Sequence, residues 1–372
     1  MKRLLLNLLK VAISVGIIAY LVIDAKNNNV FSKLANQPKK WDLLAAAAVL
    51  CFLGVLVTVV RWHFLIRALG LPIRFKESLR LGFLGYLFNL SPVGIVGGDL
   101  IKAVMLARPY PGRRAEAAAT VFVDRVIGLY VLFVVASAAI LVTRFWQSEV
   151  HAVQAICQAT LWLTGIGTAA MVVMLVPNVT SGTVSGWVSR VPYVGSVARQ
   201  LIDTVRIYRW NLPVLLLSVV LSVAVHSLFA VGILLVASAL YQNVHTLATH
   251  FVVSPLSAAT GVLPISMGPF EYVLDRLYAV IPLPGGGHMT PGQGLVVALG
   301  YRIITLLTAA VGAAYYLASR EELAEVIHTV EKGGAGDQAA GQGDENMRGE
   351  GTARCVAPCG VSSCLPDHSG SL

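Results

Sequence analysis

Two short apolar segments meet within residues 91–106, which read SPVGIVGGDLIKAVML. The break itself is residues 91–94, and the apolar segments on its two sides are 79–90 and 95–107. A helix needs about 20 apolar residues to cross a bilayer core of ~30 Å, and neither segment is that long. Because lipid offers no partner to free backbone groups, the pattern predicts a re-entrant helical hairpin with its tip at membrane depth.

The same pattern occurs again late in the chain. Residues 250–263 and 270–281 are apolar, and residues 264–269 between them read PISMGP. Proline and glycine interrupt a helix here as they do in the first break. The sequence therefore predicts a second re-entrant hairpin.

The two breaks share the spacing of their polar residues. In each, an acid follows the first proline by seven residues, and a long apolar run with one central arginine comes next. The prolines are Pro92 and Pro264, the acids are Asp99 and Glu271, and the arginines are Arg125 and Arg302. This repetition indicates an inverted-topology repeat, in which half-helix N-termini near the midplane present free N–H groups to an anion.

The rest of the chain is built for lipid. Hydrophobic residues make up 56% of the 372 residues and charged residues 13%, against about 25% in a soluble domain. We predict an all-α polytopic membrane protein of about six full spans and two re-entrant hairpins over residues 1–320. A Gly-rich, polar segment at 321–372 is typical of a disordered cytoplasmic tail. The six long apolar runs are 4–23, 42–60, 115–143, 155–176, 212–240 and 294–318.

The net charge of +9 comes mostly from basic residues in short connections, which favours anionic lipid surfaces over nucleic acid as a partner. The excess of positive charge on one side predicts a cell-membrane protein with both termini in the cytoplasm. In that orientation the connection that begins at Arg61 is cytoplasmic. Four basic residues depart from the rule and would lie outside: Lys26, Lys33, Lys39 and Lys40.

Charged residues within apolar segments are the candidate site residues, because each costs about 2.5–3.5 kcal/mol to insert without a partner or a cavity. Arginines there suit a phosphate, and acids suit a cationic headgroup or a proton. Mutual ion pairs without a ligand fit the same balance of charges. Small residues near the breaks let the backbone approach a phosphate. The candidates are Asp99, Lys102, Asp124, Arg125, Glu271, Asp275, Arg276 and Arg302, with Gly94, Gly97, Gly98 and Gly268.

Structural roles compete with functional ones at several of these positions. Glu271 lies two residues after Pro269, so it is well placed to cap its half-helix, and Asp99 after two glycines resembles it. Asp124 and Arg125 are adjacent, point about 100° apart on a helix, and are equally suited to holding the bundle together.

No cofactor or metal site is predicted. The tail residues Cys355, Cys359, Cys364 and His368 have spacings that match no common zinc site. We find no P-loop, dinucleotide fingerprint or nucleophile elbow, so the sequence disfavours an enzyme.

Several of these segments resemble one known family. SPVGIVGGDLIKAVML, VFVDRVIGLYVL at 121–132, LPISMGPFE and the late span with Arg302 look like the transmembrane region of the lysylphosphatidylglycerol synthetase/flippase family, over about residues 4–320. The resemblance implies two hairpin-containing repeats around a lipid-accessible cavity. Its characteristic polar positions fall on Gly97, Gly98, Asp99, Asp124, Arg125, Ser266, Gly268, Glu271 and Arg302.

This chain departs from that pattern in two places. Lys102 stands near the position where an arginine is common, and no arginine precedes Glu271. Nothing after Arg320 is long and apolar enough for a soluble aminoacyl-transfer domain, so synthetase activity is not expected.

The expected function is translocation of an anionic or lipid-linked headgroup between leaflets. The expected partners are membrane lipids, a second copy of the chain or a synthetic enzyme. The alternatives are an accessory protein of lipid or envelope-glycan synthesis and, less favoured, a membrane-embedded transferase.

Overall fold

A computed structural model describes residues 2–35, 38–89, 95–175, 208, 211–263, 265 and 267–317. All of them belong to the first of two units of the chain, Met1–Ala318. The segment 321–372, predicted to be a disordered tail, lies outside the described residues. Within them the protein is helical and forms no strand. The helices are α1 Lys2–Asn27, α2 Val30–Ala35, α3 Trp41–Ala68, α4 Phe75–Asn89, α5 Ile95–Ala107, α6 Arg114–Thr143, α7 His151–Leu175, α8 Leu212–Leu240, α9 Leu247–Ala259, α10 Pro269–Val280 and α11 Gln293–Leu317.

Among the described residues, five helices are long and apolar enough to cross a membrane: α3, α6, α7, α8 and α11. Large apolar side chains such as Trp162 and Ile166 of α7 are exposed on the outer surface of the bundle. Lipid would contact a helical bundle of this kind on such a surface. The prediction of an all-α polytopic membrane protein is confirmed. The first predicted run does form a helix, α1, but α1 is not among the five, and it carries Lys10, Asp24 and Lys26. Its crossing of the membrane stays a prediction.

Each predicted hairpin is a pair of short helices packed against each other. We call α4 and α5 the first hairpin, and α9 and α10 the second. Their four helices have 15, 13, 13 and 12 residues, well below the about 20 needed to span. The division of both regions into short helices is as predicted, and their depth in the membrane stays a prediction.

The helices around the two hairpins pack in a reciprocal pattern. The helices that precede the hairpins, α3 and α8, pack on each other. The long helix that follows each hairpin packs on the second helix of its own hairpin and on the first helix of the other: α6 contacts α5 and α9, and α11 contacts α10 and α4. The segments α3 to α6 and α8 to α11 therefore make equivalent contacts with each other, which is the packing expected of a repeat.

The first hairpin closes through small residues. A Cβ on Gly98 of α5 would overlap the carbonyl oxygen of Gly85 and the side chain of Asn89, both on α4. Glycine at position 98 therefore permits backbone contact between the two helices. The consequence is a tight hairpin that fixes the next turn of α5, where the acid and the lysine lie.

Candidate functional site

The first hairpin is tied to α6 by an ion pair between Asp99 and Arg125, which we call the first ion pair. Arg125 donates from Nη2 to Asp99 Oδ1 at 2.8 Å and from Nε to Oδ2, so the contact is bidentate. The Arg125 side chain is 44% exposed and that of Asp99 18%. The guanidinium therefore lies partly at the surface of the bundle. Asp99 lies beyond the first turn of α5, so the capping interpretation is wrong for this acid.

The second hairpin is tied to α11 by an equivalent pair, Glu271 and Arg302, which we call the second ion pair. Arg302 donates from Nε and Nη2 to Glu271 Oε1, at 2.9 and 2.5 Å. The Glu271 side chain is fully buried and that of Arg302 is 18% exposed. Here the charges are nearly sealed from solvent.

Glu271 also caps its own helix. Its Oε2 accepts the backbone N–H of Gly268 at 2.7 Å, while Pro269 begins α10. Gly268 has φ +107°, a conformation that favours glycine over other residues. Capping and ion pairing, posed as alternatives from the sequence, are both made by this one carboxylate.

Asp124 faces the bundle and pairs with an arginine that sequence reasoning assigned to a connection. Arg61 lies inside α3, which continues to Ala68, and both side chains of the pair are buried. Arg61 Nε donates to Asp124 Oδ1 at 2.8 Å, and Nη1 donates to Ser222 Oγ of α8 at 2.6 Å. The placement of Arg61 in a cytoplasmic loop is therefore wrong. Asp124 joins α3, α6 and α8, whereas adjacent Arg125 faces the first hairpin.

Lys102 is a buried cation one turn after Asp99. The residue is 8% exposed, and its Nζ lies 5.1 Å from the centroid of the Trp62 ring, a cation–π distance. Its aliphatic stem occupies the space that a side chain at Gly85 would fill. Among the residues that the structure describes, no carboxylate lies within ion-pair distance of Lys102.

Arg276 connects the second hairpin to α1. It donates from Nη2 to Asp24 Oδ2 and to the Tyr20 hydroxyl, each at 3.0 Å, and lies over the rings of Tyr20 and Tyr272. Arg276 belongs to neither ion pair. Its described contacts are with α1 and with its own helix.

The remaining predicted positions have different roles. Gly97 lies within α5, Gly98 permits the contact between α4 and α5, and Gly268 supplies the N–H that Glu271 accepts. Gly94 and Ser266 lie outside the described residues. The structure thus places six of the eight predicted charges in two equivalent ion pairs, one buried cluster around Asp124 and one contact with α1, whereas Lys102 and Asp275 lie outside these groups. It adds Arg61, Asp24 and Ser222, which the sequence analysis missed. In the described part of the chain, no three side chains of metal-binding type converge.

Comparison with known protein families gives one match. The family model described as "Lysylphosphatidylglycerol synthase TM region" matches residues 7–312. That range contains every charged residue of the site, from Asp24 of α1 to Arg302 of α11. No curated protein matches the chain.

Proposed function

This chain belongs to the lysylphosphatidylglycerol synthase TM region family and is a multi-pass integral membrane protein, and from that premise we propose that it moves an anionic lipid headgroup between leaflets. The observation that carries the proposal is the pair of equivalent ion pairs. Each joins a short half-helix of a hairpin to the long helix that follows. Because intramembrane charges are costly, two such pairs in matching places favour a transport role.

The proposed mechanism is an exchange of partners. A phosphate competes with Asp99 for the guanidinium of Arg125, since arginine binds both groups through the same two parallel hydrogen bonds. Asp99 is then free to contact a cationic part of the headgroup. The exposure of Arg125 supports the first ion pair as the entry point.

Lys102 supports the same proposal as a second contact for the phosphate. Its ammonium lies a turn beyond Asp99 and has no carboxylate partner among the described residues. The space above Gly85 and the ring of Trp62 hold it in place. A lipid phosphate would provide the missing negative charge.

Alternating exposure completes the proposal. If the two repeats rock against each other, the second ion pair opens as the first closes, while the acyl chains stay in the bilayer. The reciprocal packing of α6 and α11 on both hairpins supports such a motion. The proposal places the protein in the cell membrane with cytoplasmic termini, without catalysis of its own, and beside a second copy or an enzyme that makes the lipid.

The test is translocation by the purified full chain in liposomes. Fluorescent phosphatidylglycerol, aminoacylated phosphatidylglycerol and a polyprenyl phosphate are each followed with a membrane-impermeant quencher. We expect headgroup-selective translocation that Arg125→Gln lowers at least about tenfold, because charge-assisted hydrogen bonds contribute about 1.5–3 kcal/mol. The matched control is Arg67→Gln, an exposed arginine at the end of α3. Folded wild-type protein that moves no lipid would overturn the proposal in favour of an accessory role.

A further inference from the structure

Asp275 is a fully buried acid that the proposed translocation does not use. It lies on α10, one helical turn after Glu271, and its residue exposure is 0%. Its Oδ1 accepts two backbone N–H groups, from Gly292 and from Leu295, each at 2.9 Å. Those groups belong to the start of α11, so this single oxygen holds the N-terminus of the helix that carries Arg302.

The other oxygen of this carboxyl has no partner. Asp275 Oδ2 is buried and makes no hydrogen bond within the described residues. The backbone of α11 closes over the group, since a Cβ on Gly294 would lie 2.5 Å from the Asp275 Cα. A buried polar atom without a partner calls for an explanation such as a bound ion, a water or a proton.

Other unpartnered polar atoms lie in the same part of the molecule. They are the Tyr241 hydroxyl, His245 Nδ1 and the Ser257 hydroxyl, all buried, between the end of α8 and α9. Tyr241 belongs to the same buried cluster as Leu274, the residue before Asp275. Within the described residues, every buried side-chain polar atom without a partner falls in this second half of the protein.

The charges around Asp275 are already matched in pairs. Arg302 is paired with Glu271, and Arg276 with Asp24. An ionised Asp275 would therefore add one negative charge beyond these pairs, because Arg276, whose charge also acts on it, is already paired with Asp24; the N-terminus of α11 partly stabilises that charge. Among the residues whose side chains the structure describes, the titratable and charged ones of α10 and of the elements around it are Lys10, Tyr20, Asp24 and Lys26 of α1, Tyr241, His245, His250 of α9, Glu271, Tyr272, Arg276, Tyr278, His288, and Tyr301 and Arg302 of α11.

We propose that Asp275 binds one proton on Oδ2 and couples headgroup translocation to a proton gradient; this rests on the proposed function. Binding forms one O–H bond on a carboxylate, and release on the other side of the membrane restores it, with no other bond changed. Protonation weakens the charge-assisted hydrogen bonds from Gly292 and Leu295, because a neutral acceptor binds N–H groups less strongly. The packing of α11 against α10, and with it the second ion pair, then depends on whether Asp275 is protonated.

The experiment uses the full chain in liposomes, with fluorescent phosphatidylglycerol, a pH dye inside and the membrane potential held at zero by a potassium ionophore. For one proton per headgroup, the steady-state ratio of the lipid between leaflets shifts about tenfold per unit of imposed pH difference. Asp275→Asn keeps the oxygen that caps α11, so we expect this variant still to equilibrate lipid. The ratio of lipid between leaflets should then be independent of the pH gradient, and no protons should be taken up. Asp275→Glu should restore part of the coupling, and Asp42→Asn, at an exposed acid of α3, should keep all of it.

Two transport results overturn the coupling: lipid that moves with a wild-type ratio insensitive to the gradient, or a gradient-dependent ratio that persists in Asp275→Asn. Infrared titration of the carboxyl C=O stretch separates this proposal from the proposed function. A protonated-carboxyl band that titrates in wild type and is lost in Asp275→Asn supports the proton site even if no lipid moves, in which case the proposed function fails alone. Absence of that band across the titration overturns the proton site whatever the lipid does.

Discussion

The two hairpins present the same chemistry in two states of exposure. In the first ion pair, Arg125 is nearly half exposed and joins an acid that lies beyond the first turn of its helix. In the second, Glu271 is sealed, caps its own helix and holds Arg302 through a single oxygen. One pair lies partly at the surface of the bundle, whereas the other is enclosed by it. The difference teaches that equivalent positions in the two hairpins can differ both in exposure and in the contacts they make.

The largest expected effect comes from breaking the sealed pair. Arg302→Gln leaves the Glu271 carboxylate buried without a counter-charge, and we expect the free energy of unfolding to fall by about 3–5 kcal/mol. Arg125→Gln leaves an acid that solvent can reach, so the loss should stay within about 1 kcal/mol. The measurement is equilibrium unfolding in mixed micelles, followed by circular dichroism. Equal losses for the two variants would contradict the contrast drawn here.

A smaller effect is expected where the first hairpin closes. Gly98→Ala introduces a Cβ against the Gly85 carbonyl and Asn89, and overpacking of this kind costs about 1–3 kcal/mol. The matched control is Gly112→Ala, because a Cβ on Gly112 meets nothing within 4 Å. The same unfolding measurement applies. A Gly98 variant as stable as the Gly112 variant would show that α4 and α5 are not held in close contact.

The smallest effect separates the two roles of Glu271. Glu271→Gln removes the ion pair but keeps an oxygen for the Gly268 N–H, whereas Glu271→Ala removes both contacts. We expect the alanine variant to be less stable than the glutamine variant by about 1 kcal/mol, the usual contribution of a cap. Thermal unfolding of the two purified variants, compared side by side, measures this difference. Coinciding transitions would mean that the cap adds nothing to the ion pair.

Local signals in the sequence were enough to predict much of this architecture. The breaks at residues 91–94 and 264–269 predicted both pairs of short helices, because proline and glycine clustered within a few residues disfavour a continuous helix. Arg125 and Arg302 stood out because long apolar runs seldom carry charge. These signals depend on a few consecutive residues, so they survive without knowledge of the tertiary structure.

Contacts between distant segments could not be predicted in this way. Asp24 and Arg276 are 252 residues apart, and no local pattern links them. Arg61 was assigned to a connection because the predicted apolar run ended at residue 60. Leu65 and Ile66, at the next turn, are fully buried and show that the helix continues. The exposure that separates the two ion pairs is likewise set by packing between α6, α11 and the hairpins.

The buried contact of Arg61 has a consequence for how the protein assembles during its synthesis. Its partner Asp124 is 63 residues further along the chain, and Ser222 is 161 residues further. A ribosome adding 5–20 residues per second delivers Asp124 roughly 3–13 s after Arg61. Until then the long arginine side chain, in the last third of α3, must reach towards the water at the bilayer surface. The bundle therefore assembles in a fixed order. The arginine of α3 enters the lipid fully once α6 has been synthesised and its Asp124 can neutralise the charge.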